Sequence, residues 1–578
     1  MSTYRAQNNV PPFIPLSQYL LHRLKQLGVT TIFGLPGEHN APLINQIYQI
    51  PSMTWCGNTN ELNASYAADG YARIKRLSCL ITTFGVGEMS VLNGVAGAFA
   101  EHVPILHIVG MPPSSAQLKQ LLLNHTLGKT DYDVFHRLAS DICCYSAVIK
   151  DAETAMAIIE KCIGMCYSKQ RPVYCGIPVN FINAMTSSHL LDIPLEVDNF
   201  VDDPSVDNLV ELTLEKLYAA KHPLIMADGC AIRHDCLSEL RQLATVTGFP
   251  LCATPMGKTA FDEQDRRYAG VYTGTISSPQ VREVVDFSDF ILVVGAMAID
   301  FATSSFHFYY KTKNIIFLFD TFAKVTIGSK MYPDLRLKYV MQTLVCRLDR
   351  SRINYIHEAI PESIQFRVLP DPNTPLRQEW LWARMAQWFQ EGDVIITETG
   401  TSGLGINQIK LPSNAKIISQ PLWGSVGFSV GACLGVLIAV REEIMNGCRQ
   451  PGSRTILFVG DGALQLTAQE LSTIIRFHLT PFIFVVNNKG NSVDRLLNRK
   501  KLGTSPNYYD LQQWDNLALI PTFGATEYDT TRVSKVGQLD QLLNDLNFAQ
   551  NSILKMVEIL LPSMDGPQVL MDIIPESI

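Results

Sequence analysis

Asp461 and Asn488 each stand at the tip of an apolar run, and their side-chain oxygens suit a hard divalent cation. Asp461 lies in Gly460-Asp461-Gly462, and Asn488 lies in Asn487-Asn488-Lys489-Gly490. Together with a carbonyl near Gly490 they would form the protein's share of a metal site, with ligand phosphates filling the remaining positions. The glycines let the backbone approach those phosphates closely. A small-residue turn at a strand end is the plain alternative for a lone GDG; the second motif one unit later favours the metal-diphosphate reading. Glu61, in GNTNELNASYAADGYARI, is the other residue with chemistry to offer. A carboxylate among small and apolar neighbours has its pKa raised by burial and can then share a proton with a heterocyclic nitrogen. The competing account is a helix N-terminal carboxylate favoured by the macrodipole.

The elements that must position these groups are legible around them. Residues 455–459 read as a buried strand, 467–477 as an amphipathic helix and 482–486 as a second strand. That is a βαβ unit, and open parallel sheets bind ligands beyond the carboxyl ends of their strands. The first 185 or so residues alternate in the same way, with a helix through Leu20, Leu21 and Leu24 and strands at 31–33, 53–56, 78–84 and 105–109. Residues 187–204 are polar and acidic and read as a linker. A second α/β block has strands at 223–227, 291–294 and 315–319, and the Pro-rich stretch 361–375 precedes a third. Strands alternating with helices predict parallel sheets covered on both faces. The expectation is an α/β chain of three doubly wound domains, over 1–186, 205–350 and 376–578.

A chain of 578 residues suits about three domains of the usual ~100–200 residues. Its 47% hydrophobic and 17% charged residues fit a packed globular protein. A net charge of −7 argues against direct nucleic-acid binding. The N-terminus has no apolar signal-peptide core, and the apolar stretch 426–440 is too short to span a bilayer. Thirteen cysteines without a CxxC pair read as reduced residues of a cytoplasmic or nuclear protein.

GDG followed by NN at this distance resembles the thiamine-diphosphate fingerprint. Segments such as LITTFGVGE, RPVYCGIPVN and QLTAQELSTIIRF extend a resemblance to yeast-type pyruvate decarboxylases over nearly the whole chain. That resemblance implies a pyrimidine-binding, a central and a diphosphate-binding domain, with thiamine diphosphate and Mg²⁺ as cofactors. It assigns the metal to Asp461, Asn488 and Gly490, with Gly460 and Gly462 beside them. It gives Glu61 the cofactor's aminopyrimidine, in a site built between subunits of a homodimer or tetramer. Glu398, Thr399, Gly400 and Thr401 resemble the family's ETGTS loop, whose hydroxyls and backbone contact the cofactor. Gly424, Ser425 and Val426 resemble the stretch whose aliphatic residue props the cofactor in its bent shape.

The substrate-handling residues depart from that family. Its GD-F/Y motif reads Gly37-Glu38-His39 here, its His-His pair reads Asn124-His125, and its tyrosine and glutamate after the metal loop read Asn491 and Asp494. Of the four acid/base groups only His125 is unchanged. A carboxylate misplaced by ~1 Å can cost ~10²-fold, and a lost general acid or base ~10²–10⁴-fold. Glu38 and Asp494 would offset one another if they act as a unit, one being longer and the other shorter. The substitutions resemble the family's regulatory branch, which controls thiamine-biosynthetic genes. That implies a cofactor sensor whose affinity for a transcriptional activator changes when ligand binds. The alternative is a decarboxylase of pyruvate, branched or aromatic 2-oxo acids.

Cys230 and His102 match residues that the family links to substrate activation, against a plain reading as a small buried hydrophobe and a structural histidine. Arg495, Arg499, Lys500 and Lys501 read as a solvated basic loop, or as a face for an acidic partner segment.

Overall fold

The central strands carry no alternation of buried and exposed side chains. Thr31–Gly34, Ser78–Thr83, Ile105–Met111 and Val173–Pro178 are buried at every position. Strands covered on both faces require this, and it is the mark of a parallel α/β sheet. The computed structural model describes residues 10–195, 204–299, 310–355, 360, 370–498 and 507–573. These form two compact units.

The first unit comprises Met1–Asn199 with Val430–Gln450 and Thr467–Leu479. The six strands of its main sheet run in the order Thr54–Gly57, Thr31–Gly34, Ser78–Thr83, Ile105–Met111, Val173–Pro178, Tyr145–Val148, all parallel. The chain steps from Thr31–Gly34 outward to Thr54–Gly57 and then back across to Ser78–Thr83. A switch point therefore opens between Thr31–Gly34 and Ser78–Thr83, the crevice position of doubly wound sheets. The helix Glu61–Lys75 begins there because Asn60 takes an extended backbone and accepts the Asn63 amide at 2.8 Å. Arg76, at φ 68°, ends it in the left-handed conformation. The apolar stretch 426–440 belongs to a helix, Phe428–Met445. That helix crosses Glu61–Lys75 at backbone contact, since a Cβ on Gly435 would fall 1.8 Å from the Ala67 carbonyl oxygen. The linker stretch from 187 starts inside the fold: Met185–Ser187 pairs antiparallel with Phe13–Pro15, and a 3₁₀ turn follows at His189–Asp192. Residues 196–203 and 361–369 of the two linkers lie outside the described residues.

The second unit comprises Phe200–Ser429, Pro451–Leu466 and Thr480–Ile578, and holds two sheets. Five strands of the central sheet are parallel, in the order Tyr268–Val271, Leu251–Ala253, Pro223–Ala227, Phe290–Val294, Ile315–Leu318. Ala323–Val325 and Lys330–Tyr332 extend it antiparallel, which the alternation of strand and helix did not foretell. At its switch point the buried carboxylate of Asp228 accepts the amides of Gly229 and Met297, both at 2.7 Å, and the Thr254 hydroxyl. The other sheet is wholly parallel, in the order Lys416–Ile418, Val394–Thr397, Thr455–Gly460, Phe482–Asn487, Leu554–Leu560, Tyr528–Val533. Its core stacks Phe458 on Phe484 with ring centroids 5.0 Å apart. Lys258 is fully buried and ties the two sheets, bonding Glu263 at 2.8 Å and the Ile409 carbonyl at 2.7 Å.

Candidate cofactor-binding site

In the second unit the switch point lies between Val394–Thr397 and Thr455–Gly460. The predicted βαβ unit is present, with one correction. The chain enters a helix directly at Asp461 (Asp461–Thr467) and restarts it at Glu470–Arg476, rather than beginning near 467. A carboxylate at the first helical position is favoured by the unpaired amides there. Asp461 is 3% exposed. One of its oxygens, Oδ2, accepts the Gly490 amide at 2.9 Å, while buried Oδ1 has no hydrogen-bond partner. Burial pushes its carboxyl up to about 6, and amide donors, Gly490 first, oppose the rise. Asn488 is buried beside the same turn. Gly490 has φ 122°, and a Cβ there would fall 2.2 Å from the Tyr509 carbonyl oxygen, so no larger residue fits. A buried, unpartnered carboxylate oxygen and a buried carboxamide at the end of a parallel sheet fit a hard cation. Gly460 has open space around it, whereas a Cβ on Gly462 would meet Leu511.

Across that switch point follow Thr399, Gly400 and Thr401, the last buried and the first two half-buried. Glu398, the first residue of the ETGTS-like stretch, holds this turn. Its fully buried side chain accepts the Ser429 hydroxyl at 2.6 Å through Oε2 and the Thr399 amide at 3.1 Å through Oε1. It thereby joins the 398–401 turn to the start of the Phe428–Met445 helix, just after Gly424, Ser425 and Val426. Gly424 has φ 64°, the Ser425 amide bonds Gln420 at 3.0 Å, and Val426 is exposed.

Beyond the metal-side loop, Asn491 and Asp494 are both exposed and bond one another at 2.6 Å. Arg495 is not part of a solvated basic loop. It is 4% exposed and bonds Asp510 at 2.7 Å and the Lys489 carbonyl at 3.1 Å, pinning the loop that carries Gly490. Arg499, Lys500 and Lys501 lie outside the described residues.

The first unit has its own crevice. Glu61 opens its helix half-buried, and burial raises its carboxyl pKa, as its neighbours led us to expect. A Cβ on Gly87 would stand 3.0 Å from Glu61 Oε1, and one on Gly85 would stand 2.1 Å from the His125 carbonyl oxygen. The 85–87 turn therefore has Glu61 on one side and His125 on the other. His125 holds a left-handed backbone at φ 68°, and its ring faces that of buried His39. Glu38 and Asn124 are exposed. A residue missed in the sequence, Glu470, is fully buried and accepts Asn58 Nδ2 at 2.8 Å and Thr59 Oγ1 at 2.7 Å. It anchors the segment that leads into Glu61. The signal available for it was a carboxylate placed among residues otherwise fit for a core.

Cys230 is buried in the short helix Gly229–Arg233 of the second unit. His102 belongs to the first, where its ring Nε2 bonds Arg171 at 2.5 Å. None of the thirteen cysteines is in a disulfide. No helix among the described residues is long and apolar enough to cross a membrane.

Two parallel sheets with crevices of this kind define a thiamine pyrophosphate enzyme fold, and the chain belongs to the thiamine pyrophosphate enzyme family. Residues 14–132 match its N-terminal TPP binding domain, 210–338 its central domain and 398–554 its C-terminal TPP binding domain. Among individual proteins, the chain is similar to the thiamine metabolism regulatory protein THI3 of Saccharomyces cerevisiae, at 49% identity over 99% of this chain and 93% of that one. It is equally similar to the pyruvate decarboxylase of Candida glabrata, at 49% identity over 97% of each chain. Pyruvate decarboxylase isozyme 1 of S. cerevisiae follows at 48%, again over 97% of each.

Proposed function

We propose that this protein binds thiamine diphosphate with Mg²⁺ and serves chiefly as a cofactor sensor that promotes thiamine-biosynthetic gene expression through a transcriptional activator. The carrying observation is a contrast between the carboxylates on either side of the loop that carries Gly490. Asp461 keeps a buried oxygen ready for a cation, while Asp494 is exposed and bonded to Asn491. Asp461, Asn488 and the Gly490 carbonyl would hold the metal and diphosphate. Thr399, Gly400, Thr401, Gly424, Ser425 and Val426 would line the rest of the cofactor. Glu61 would hold a proton at its carboxylate against the aminopyrimidine nitrogen. Bound thiamine diphosphate supplies a carbon nucleophile and an electron sink. Around it Glu38, Asn124, His125 and Asp494 would handle a 2-oxo acid, and Asn124 exchanges no proton near neutral pH. We assign the three domains to 1–186, 205–350 and 376–578, and assembly to a homodimer or tetramer in the cytoplasm and nucleus. Cys230 and His102 are assigned to regulation on the resemblance alone.

The second reading, a 2-oxo acid decarboxylase, is favoured by the retained His125 and by the similarity to pyruvate decarboxylases. Purified protein with saturating cofactor, given pyruvate, 4-methyl-2-oxopentanoate and phenylpyruvate, separates the two. Turnover of about 1 s⁻¹ or more, the low end for ordinary enzymes, sinks a purely regulatory role. Calorimetry that finds no thiamine diphosphate binding sinks both readings.

A further inference from the structure

The Gly37-Glu38-His39 motif carries a second departure from the pattern it resembles, a histidine where that pattern has a phenylalanine or tyrosine. His39 is 6% exposed, and its Nε2 is buried without a hydrogen-bond partner. Its ring meets that of His125 edge to face, at 88° and with centroids 6.3 Å apart. Burial lowers its pKa, Glu38 opposes that and His125 adds to it. These are the two titratable groups that bear on it. A buried polar atom left unpaired is a standing cost to folding, so an apolar ring would serve packing better. Such a cost persists where the group is used. The backbone around it is equally committed: a Cβ on Gly110 would fall 2.3 Å from the His39 carbonyl oxygen, and Gly37 packs on Thr83. His39 thus comes from the loop after Thr31–Gly34, while His125 comes from the segment after the helix Ser114–Leu118 and borders the 85–87 turn that has Glu61 on its other side.

We propose that His39 is the second imidazole of this crevice, paired with His125, and supplies the proton-exchanging group that Asn124 lacks. Two imidazoles adjacent in sequence would then be replaced by two adjacent in space. Neutral His39 takes a proton at Nε2 and returns it, so no co-reactant is needed. The proposal rests on the reading of this crevice as the substrate side of the thiamine diphosphate site.

The test uses the full-length protein loaded with thiamine diphosphate and Mg²⁺, carrying His39→Phe, Asn124→His or both. His39→Phe should keep or raise its thermal midpoint and keep its cofactor affinity, yet release CO₂ from 4-methyl-2-oxopentanoate or pyruvate ~10-fold or more slowly. Adding Asn124→His should restore the rate to within about threefold and move the pH of half-maximal rate, which a packing role would not do. His39→Gln, which fills similar space without exchanging a proton, should show the same loss. A rate unmoved by His39→Phe, a loss that Asn124→His does not repair, or a cofactor-loaded parent releasing no CO₂ overturns the proposal alone. A parent that binds no thiamine diphosphate overturns the cofactor reading and this proposal with it.

Discussion

Asn491 donates from Nδ2 to Asp494 Oδ2 at 2.6 Å, within the first turn of the helix Ser492–Asn498. The carboxylate nearest the metal-side loop is therefore engaged by its own neighbour, at the surface. The carboxylate on the other side of that loop, at the tip of the neighbouring strand, is organised differently, with Asp461 buried and receiving the Gly490 amide.

If catalytic weakness is local to the altered positions, it is repairable. Glu38→Asp, Asn124→His and Asp494→Glu together should raise CO₂ release from pyruvate by ~10²-fold or more. Each alone should do less, because groups that act as a unit do not add. No gain from the triple variant would place the weakness elsewhere.

Cofactor retention predicts a metal-dependent stability. With thiamine diphosphate and Mg²⁺ at about 100 times their dissociation constant, binding should add ~2.7 kcal/mol, visible as a rise in thermal midpoint that EDTA reverses. Asp461→Asn should abolish most of that rise while leaving the unliganded midpoint unchanged or higher, since it removes a buried charge. An equal rise in the variant would clear Asp461 of the metal.

Glu88 gives the first unit a pH signature. It accepts the Gly85 amide at 2.8 Å and the Tyr174 hydroxyl at 2.9 Å, and burial pushes its carboxyl up to about 7 from 4.5. The folded state then binds the extra proton between those values. Its stability contribution is full below pH 4.5 and lost as pH rises through 7, by ~3 kcal/mol. Urea denaturation of the parent and of Glu88→Gln should diverge in slope across that window and run parallel above it.

Lys258 should tolerate no simple truncation. Lys258→Ala would leave Glu263 buried and unpaired, at ~3–5 kcal/mol, whereas Lys258→Met with Glu263→Gln should recover much of it. Chemical denaturation of the parent and the two variants checks the order.

The strands were legible because parallel strands buried on both faces are continuous apolar runs, and 31–33, 78–84, 455–459 and 482–486 all fall on real ones. Antiparallel Ala323–Val325 and Lys330–Tyr332 were not, since short edge strands mix polar with apolar residues. Asp461 and Glu61 announced themselves through neighbouring glycines and small residues. Glu470 did not, and Glu398 was legible only as part of a loop, because their partners Asn58, Thr59 and Ser429 are distant in sequence or unremarkable in type. Arg495 was misread for a related reason: a charge run looks solvated until Asp510 and the Lys489 carbonyl fold around one member. His39 was hidden by its place in a motif read for Glu38.

Asp228 gives the central sheet a different fate from its neighbours. Its carboxylate sits where a doubly wound sheet presents backbone amides to a phosphate, and it already takes those of Gly229 and Met297. The middle of the chain thus carries its own resident anion. A phosphate arriving there would meet a carboxylate that already holds those two amides.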